Sequence, residues 1–169
     1  MNTALMVIDV QRDVVLNALD TAGVVSRINE LIARARLSNV PVIWVQHSDE
    51  YLVKESEGWE FVSELQPQEG DLRFYKTEPS SFVGTGLGEE LERRGIKSLV
   101  VTGAQTDFCV NATSNDAAQK GYSVFLASDA HTTVDTVDQT AREIIDEKNA
   151  SFANLGTVLK SSQINFLEL

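Results

Sequence analysis

The chain has 169 residues, with 25 acidic against 14 basic side chains and a formal charge of −11. That length suits one domain over 1–169, able to bury roughly 70% of the surface its unfolded chain exposes, and 43% hydrophobic with 23% charged residues excludes a disordered or fibrous chain. The acidic excess argues against nucleic-acid or anionic-membrane partners, which need a basic face, and no apolar run approaches the ~20 residues of a membrane span.

The segment from Met1 to Ile8 has no basic n-region or cleavage-site pattern, and a single cysteine cannot form an internal disulfide. A cytoplasmic location is expected. Leu5-Met6-Val7-Ile8 is an uninterrupted apolar run, as in a central parallel strand covered on both faces. Val24, Val25, Ile28, Leu31, Ile32 and Ala35 follow as the apolar stripe of a helix. Val40 to Val45 is the second strand, with Pro41 tolerable near its start.

From His47 to Asp71 the pattern breaks. This stretch is polar and acidic apart from Trp59, Val62 and Leu65, and it reads either as a lid-like excursion or as surface chain packed by Trp59 and Phe61. Leu72 to Tyr75 is a short third strand. Gly84-Thr85-Gly86-Leu87-Gly88 looks superficially like a phosphate loop, but no buried strand precedes it, so it reads as the turn opening the next helix. That helix runs from Leu87 to Arg94, acidic at its start, basic at its end and followed by Gly95.

Ser98 to Thr102 makes the fourth strand. Val110, Thr113, Ser114, Ala117, Ala118 and Gly121 form a helix face of small side chains suited to close packing on a sheet. Ser123 to Leu126 is the fifth strand, Val134, Val137, Ala141, Ile144 and Ile145 mark a fourth helix, and Thr157 to Leu159 is the sixth strand. Alternating strands and helices with right-handed crossovers predict a three-layer α/β/α sandwich around a doubly wound, mostly parallel six-stranded sheet of Rossmann-like type.

In such a sheet, ligands bind beyond the carboxyl ends of the strands. Asp9 ends the first strand, Lys76 follows the third, and the fourth runs into Gly103-Ala104-Gln105-Thr106-Asp107-Phe108-Cys109. A carboxylate, an amine and a thiol thus converge on one edge. Attack on a carbonyl needs a thiolate, which a base such as Asp9 can generate and an ammonium such as Lys76 can stabilise. Thr106 or Asp107 is a candidate N-cap, putting Cys109 in a first helical turn that should lower its pKa and offer free amides to an oxyanion. Each residue alone is weak: a lone helical cysteine is more often a small buried apolar residue than a nucleophile.

Three blocks together carry a resemblance. Val7-Ile8-Asp9-Val10-Gln11, Lys76-Thr77-Glu78-Pro79-Ser80-Ser81-Phe82 and Val101 to Val110 resemble the signature blocks of the isochorismatase-like cysteine hydrolases, whose superfamily includes nicotinamidases. The resemblance extends to Ser128-Asp129-Ala130-His131 and Asn149. It implies a catalytic triad of Asp9, Lys76 and Cys109, with Cys109 as nucleophile and a covalent acyl or carbamoyl enzyme. It also implies a cis peptide between Ala104 and Gln105, an oxyanion hole from the amides of Gln105 and Cys109, and a homo-oligomer, either dimer or tetramer.

The departures narrow the chemistry. Metal-binding nicotinamidases carry an Asp-x-His motif and a further histidine after strand two, whereas this region reads Gln46-His47-Ser48-Asp49-Glu50 and the chain's other histidine, His131, lies in a different block. No metal and no cofactor are therefore expected. Isochorismate-cleaving members can lack the cysteine, so Cys109 favours cleavage of a C–N bond in a small amide, ureide or related compound. Gln11, His47, Phe82 and Phe108 are the candidate pocket residues, and Gln105 stands where many relatives carry a small apolar residue. The competing readings are vinyl ether hydrolysis of the isochorismate type and a non-enzymatic thiol redox sensor or interaction protein. A sensor needs no dedicated proton shuttle.

Overall fold

A computed structural model describes residues 2–169. Its sheet has six strands, β1 (Thr3–Ile8), β2 (Val42–His47), β3 (Leu72–Lys76), β4 (Ser98–Ala104), β5 (Ser123–Thr132) and β6 (Thr157–Leu159). They lie in the order β3-β2-β1-β4-β5-β6, and every neighbouring pair is parallel. The helices are α1 (Arg12–Val15), α2 (Thr21–Leu37), α3 (Leu87–Arg93), α4 (Asn111–Gln119) and α5 (Ala141–Phe152). Among the described residues no helix is long and apolar enough to cross a membrane.

The period-2 alternation of the central strand builds two cores. Leu5 and Val7 pack with the α2 stripe, Trp44, Ile164 and Phe166 on one face. Ala4, Met6 and Ile8 pack with Leu87 and Leu91 of α3, Ala117 of α4 and Phe152 of α5 on the other. All six β1 residues are buried, and each fully buried Leu or Ile contributes roughly 1.5–3 kcal/mol of transfer free energy. The chain order reverses between β1 and β4, so the carboxyl ends of those two strands diverge into a crevice.

Two local readings are corrected. The fourth predicted helix begins at Ala141, not near Val134, because β5 continues to Thr132 and Thr140 supplies an N-cap with a reciprocal Glu143 capping box. Val134 and Val137 therefore lie in the connecting loop, with Val137 fully exposed. Neither Thr106 nor Asp107 caps the turn after β4. That turn, Thr106–Val110, is π-helical, its N-cap is Gln105, and Val110 N–H donates to the Gln105 carbonyl at 3.1 Å. Thr106 instead points inward, its hydroxyl 2.8 Å from His131 Nδ1.

The 48–71 segment is anchored by buried Leu52, Trp59, Phe61 and Leu65. Phe61 pairs with Gln11 in an isolated antiparallel bridge and packs edge-on against Trp44 at 5.1 Å.

Candidate active site

Four strand ends meet at the crevice. Asp9 directly follows β1, its amide donating to Val45 O at 3.0 Å and its backbone held at φ +50. This left-handed region is uncommon for a residue with a Cβ but is tolerated by aspartate. At the ends of β2 and β3, His47 and Lys76 are register partners. Beyond β4 the Ala104–Gln105 peptide is cis, and the π turn places Cys109 over the crevice. Gly103 makes that approach possible: it sits at φ +121, and any side chain there would overlap the Ile8 carbonyl.

The side chains converge on one ammonium. Lys76 Nζ lies 2.8 Å from Asp9 Oδ2, 3.2 Å from Cys109 Sγ and 3.3 Å from His47 Nδ1. The Lys76 and Asp9 side chains are 0% and 1% exposed. Their contact is a buried ion pair, and among the described residues neither Asp9 oxygen has a well-aligned hydrogen-bond donor. The His47 ring lies between the two groups, with Nδ1 against the ammonium and Nε2 facing Asp49 Oδ2 at 3.3 Å.

Electrostatics correct one expectation. Burial, and next the Asp9 carboxylate, push the Cys109 thiol up to about 12 against the opposing pull of Lys76. The thiol is thus protonated at neutral pH, because desolvation and a neighbouring anion outweigh the helical turn and the ammonium. Burial also raises the Asp9 carboxyl despite Lys76 beside it, making Asp9 a better proton acceptor than a solvated carboxylate. Proton transfer from sulfur to Asp9 leaves one anion beside one cation before and after. The pair can form a thiolate without changing the net charge of the site.

Asp9, His47 and Cys109 also bring three metal-ligating atoms within 4.8 Å of one another. Those atoms already surround the Lys76 ammonium, so a metal ion there would have to displace a buried cation.

The isochorismatase domain family matches residues 3–158. The chain belongs to this family. Relatives include the secreted isochorismatase effector Isc1 of Verticillium dahliae, 29% identical and covering 97% of this chain and 90% of its own. A streptothricin hydrolase of Streptomyces noursei is 35% identical over 78% of this chain, which spans half of that protein. The ureidoacrylate amidohydrolase RutB of Klebsiella pneumoniae is 30% identical over 76% of this chain and 72% of its own. Among solved structures, a cysteine hydrolase from Pseudomonas syringae superposes with a TM-score of 0.90 at 25% identity, covering 96% of this chain and 90% of that one.

In this isochorismatase-family chain a cavity of about 480 Å³ opens beside Cys109. Asp9, His47, Gln105 and Phe108, all singled out from sequence, line it. Two other candidates do not. Gln11 is fully buried and braces the chain, its Nε2 donating to the His47 and Trp59 carbonyls and its Oε1 accepting from His47 N–H. Phe82 stacks on Tyr122 at 5.8 Å, away from the cavity. Sequence reasoning passed over Asp13, Val14, Tyr51, Leu52 and Pro79 as wall residues. Pro79 was visible only as part of the Lys76 block, and the others carry no motif.

A second polar network holds the turn that carries Cys109. Buried His131 lies between Thr106 Oγ1 at 2.8 Å and Asn149 Oδ1 at 3.0 Å, and Thr133 donates to Asp107 Oδ1 at 2.7 Å. The Gln105 carbonyl accepts from Phe108 and Val110, whereas its own N–H donates to no protein acceptor among the described residues.

Proposed function

We propose that the chain is a cysteine hydrolase cleaving the C–N bond of a small amide or ureide, with Asp9, Lys76 and Cys109 as its catalytic residues. The observation that carries this reading is the single ammonium bridging a buried carboxylate at 2.8 Å and a thiol at 3.2 Å beside an open cavity. Cys109 passes its proton to Asp9 as sulfur attacks the carbonyl carbon, and the oxygen becomes an alkoxide facing the amides of Gln105 and Cys109. The intermediate collapses as Asp9 returns the proton to the leaving nitrogen, the C–N bond breaks, and a thioester remains. Water, deprotonated by Asp9, then attacks the thioester, releasing the acid and restoring the thiol.

Two observations support amide over vinyl ether or sensor chemistry. Among the described residues no lysine or arginine lines the cavity to pair with the carboxylates of an isochorismate-type substrate. A thiol pushed up to about 12 is the opposite of a readily oxidised sensor cysteine. The amidohydrolase among the relatives agrees with this reading. A reducing, cytoplasmic setting suits an enzyme that depends on one free thiol.

The test is ammonia release across a panel of small amides and ureides, with isochorismate alongside and intact-mass detection of a Cys109 adduct. Turnover of an amide, lost in Cys109→Ala, supports the proposal. Turnover of isochorismate alone, or no adduct and no turnover with any compound, refutes it.

A further inference from the structure

Resting on that amide reading, we infer that the cavity selects substrates whose far end carries a positive charge, an ammonium or guanidinium, and that Asp13 is the residue that reads it. Asp13 and Asp49 both line the cavity, opposite in character to its apolar wall of Val14, Leu52 and Phe108. The two carboxylates are not equivalent. Asp49 is already engaged: its Oδ1 accepts from the amides of Tyr51 and Leu52 at 2.8 and 2.7 Å, and its Oδ2 faces His47. Asp13 has no ion-pair partner among the described residues, although neighbouring Arg12 is paired with Glu57 at 2.9 Å.

Its position is nonetheless defined. The Asp13 amide donates to Gly58 O at 3.0 Å, and its carboxylate lies so close over Gly58 that any side chain at that glycine would collide with it. Gln105 reinforces the preference. Its Nε2 donates to Val14 O at 3.1 Å, which fixes the amide orientation and leaves Oε1, an acceptor, without a protein partner among the described residues. Among the described residues the Asp13 carboxylate and Gln105 Oε1 are free acceptors on the wall, Tyr51 adds a hydroxyl that can donate or accept, and no cationic side chain lines the cavity, Lys76 being buried beside Asp9 and Cys109. A carboxylate-bearing amide meets repulsion with no cation on the wall to offset it; a cation-bearing one meets an unpaired carboxylate.

The experiment compares three amides of similar size: 4-aminobutanamide, pentanamide and succinamate, cationic, neutral and anionic respectively. Both kcat/KM for ammonia release and Kd for the Cys109→Ala variant are measured. An exposed carboxylate favours the cation over the neutral amide by about three- to fivefold, and the order is cation, neutral, anion in both measurements. Raising the salt from 10 to 500 mM narrows the spread, because a mouth charge is screened. Asp13→Asn reduces the cation-to-neutral ratio to about one, and Asp13→Arg inverts the cation-to-anion order. Ammonia release from all three with the cation no better than the anion overturns this inference and leaves the amide reading standing. No ammonia from any of them, with cation-selective binding to Cys109→Ala that is lost in Cys109→Ala/Asp13→Asn, overturns the amide reading for this class and keeps the inference about the cavity.

Discussion

Replacing Asp9 by asparagine keeps the shape of the side chain and removes the carboxylate that can take the proton of the half-buried thiol without changing the charge of the site. In the wild type a proton shared between Asp9 and Cys109 makes thiolate by internal transfer, so the alkylation rate with iodoacetamide is nearly flat between about pH 6 and 9. In Asp9→Asn that internal transfer is lost, and thiolate formation depends on loss of a proton to solvent. A thiol at about 12 is ionised in roughly one molecule in 30,000 at pH 7.5. Removing the Asp9 charge, which helps raise it, brings that value down and increases the fraction about tenfold for each unit. The variant's alkylation therefore climbs about tenfold per pH unit until its lowered pKa is reached, whereas its turnover falls by about 10²–10⁴-fold, the usual span for a lost general base. The assay is paired alkylation and ammonia-release profiles over pH, with circular dichroism to show that the variant is folded. A wild-type alkylation rate that itself climbs tenfold per unit across this range, or an Asp9→Asn variant with turnover within tenfold of wild type, would refute the shared-proton argument.

Other outcomes follow from the same coordinates. Lys76→Met strands the fully buried Asp9 carboxylate and costs about 3–5 kcal/mol in urea denaturation, while Asp9→Asn/Lys76→Met, with both charges gone, recovers most of that loss. Gly103→Ala forces a side chain into the Ile8 carbonyl at φ +121, so the thermal midpoint drops by an amount equivalent to at least about 3 kcal/mol and turnover goes with it. Burial lowers the His131 pKa below 6.5. As pH falls past about 6.5 the unfolded histidine takes up a proton and the folded one does not, so this contribution to stability declines by up to about 1.4 kcal/mol per pH unit until the folded pKa is reached. The difference in urea midpoint between wild type and His131→Asn, taken at pH 7.5 and 5.5, isolates that contribution.

The sheet was legible because its signal is local. Leu5 to Ile8 and Leu99 to Val101 are continuous apolar runs, and each lies in a buried parallel strand. Asp9, Lys76 and Cys109 were legible for a related reason: a strand end has one direction, so residues just past it must share an edge. What stayed hidden depends on contacts between distant segments. Val134 and Val137 continue the spacing of Ile144 and Ile145, yet the Thr140 cap and the longer β5 take them out of the helix. The thiol's ionisation could not be read from the turn alone, since burial and the facing carboxylate set it. His47 looked like a loop residue until two more positions, Gln46 and His47, joined β2 and aligned it with Lys76. Asp13 and Tyr51 sit in chain with no periodicity at all.

The Gln11 amide ties both backbone groups of His47 to the carbonyl of Trp59. It works as a firewall: chain between positions 50 and 58 lies outboard of the knot, while the histidine that touches the ammonium lies at it. Segments grafted into that stretch can therefore reshape the mouth of the cavity while the His47 backbone stays fixed, provided the Asp49 contacts to the 51 and 52 amides are kept. Cutting the knot with Gln11→Leu merges the two compartments, so that every later change in the graft is felt at the sulfur.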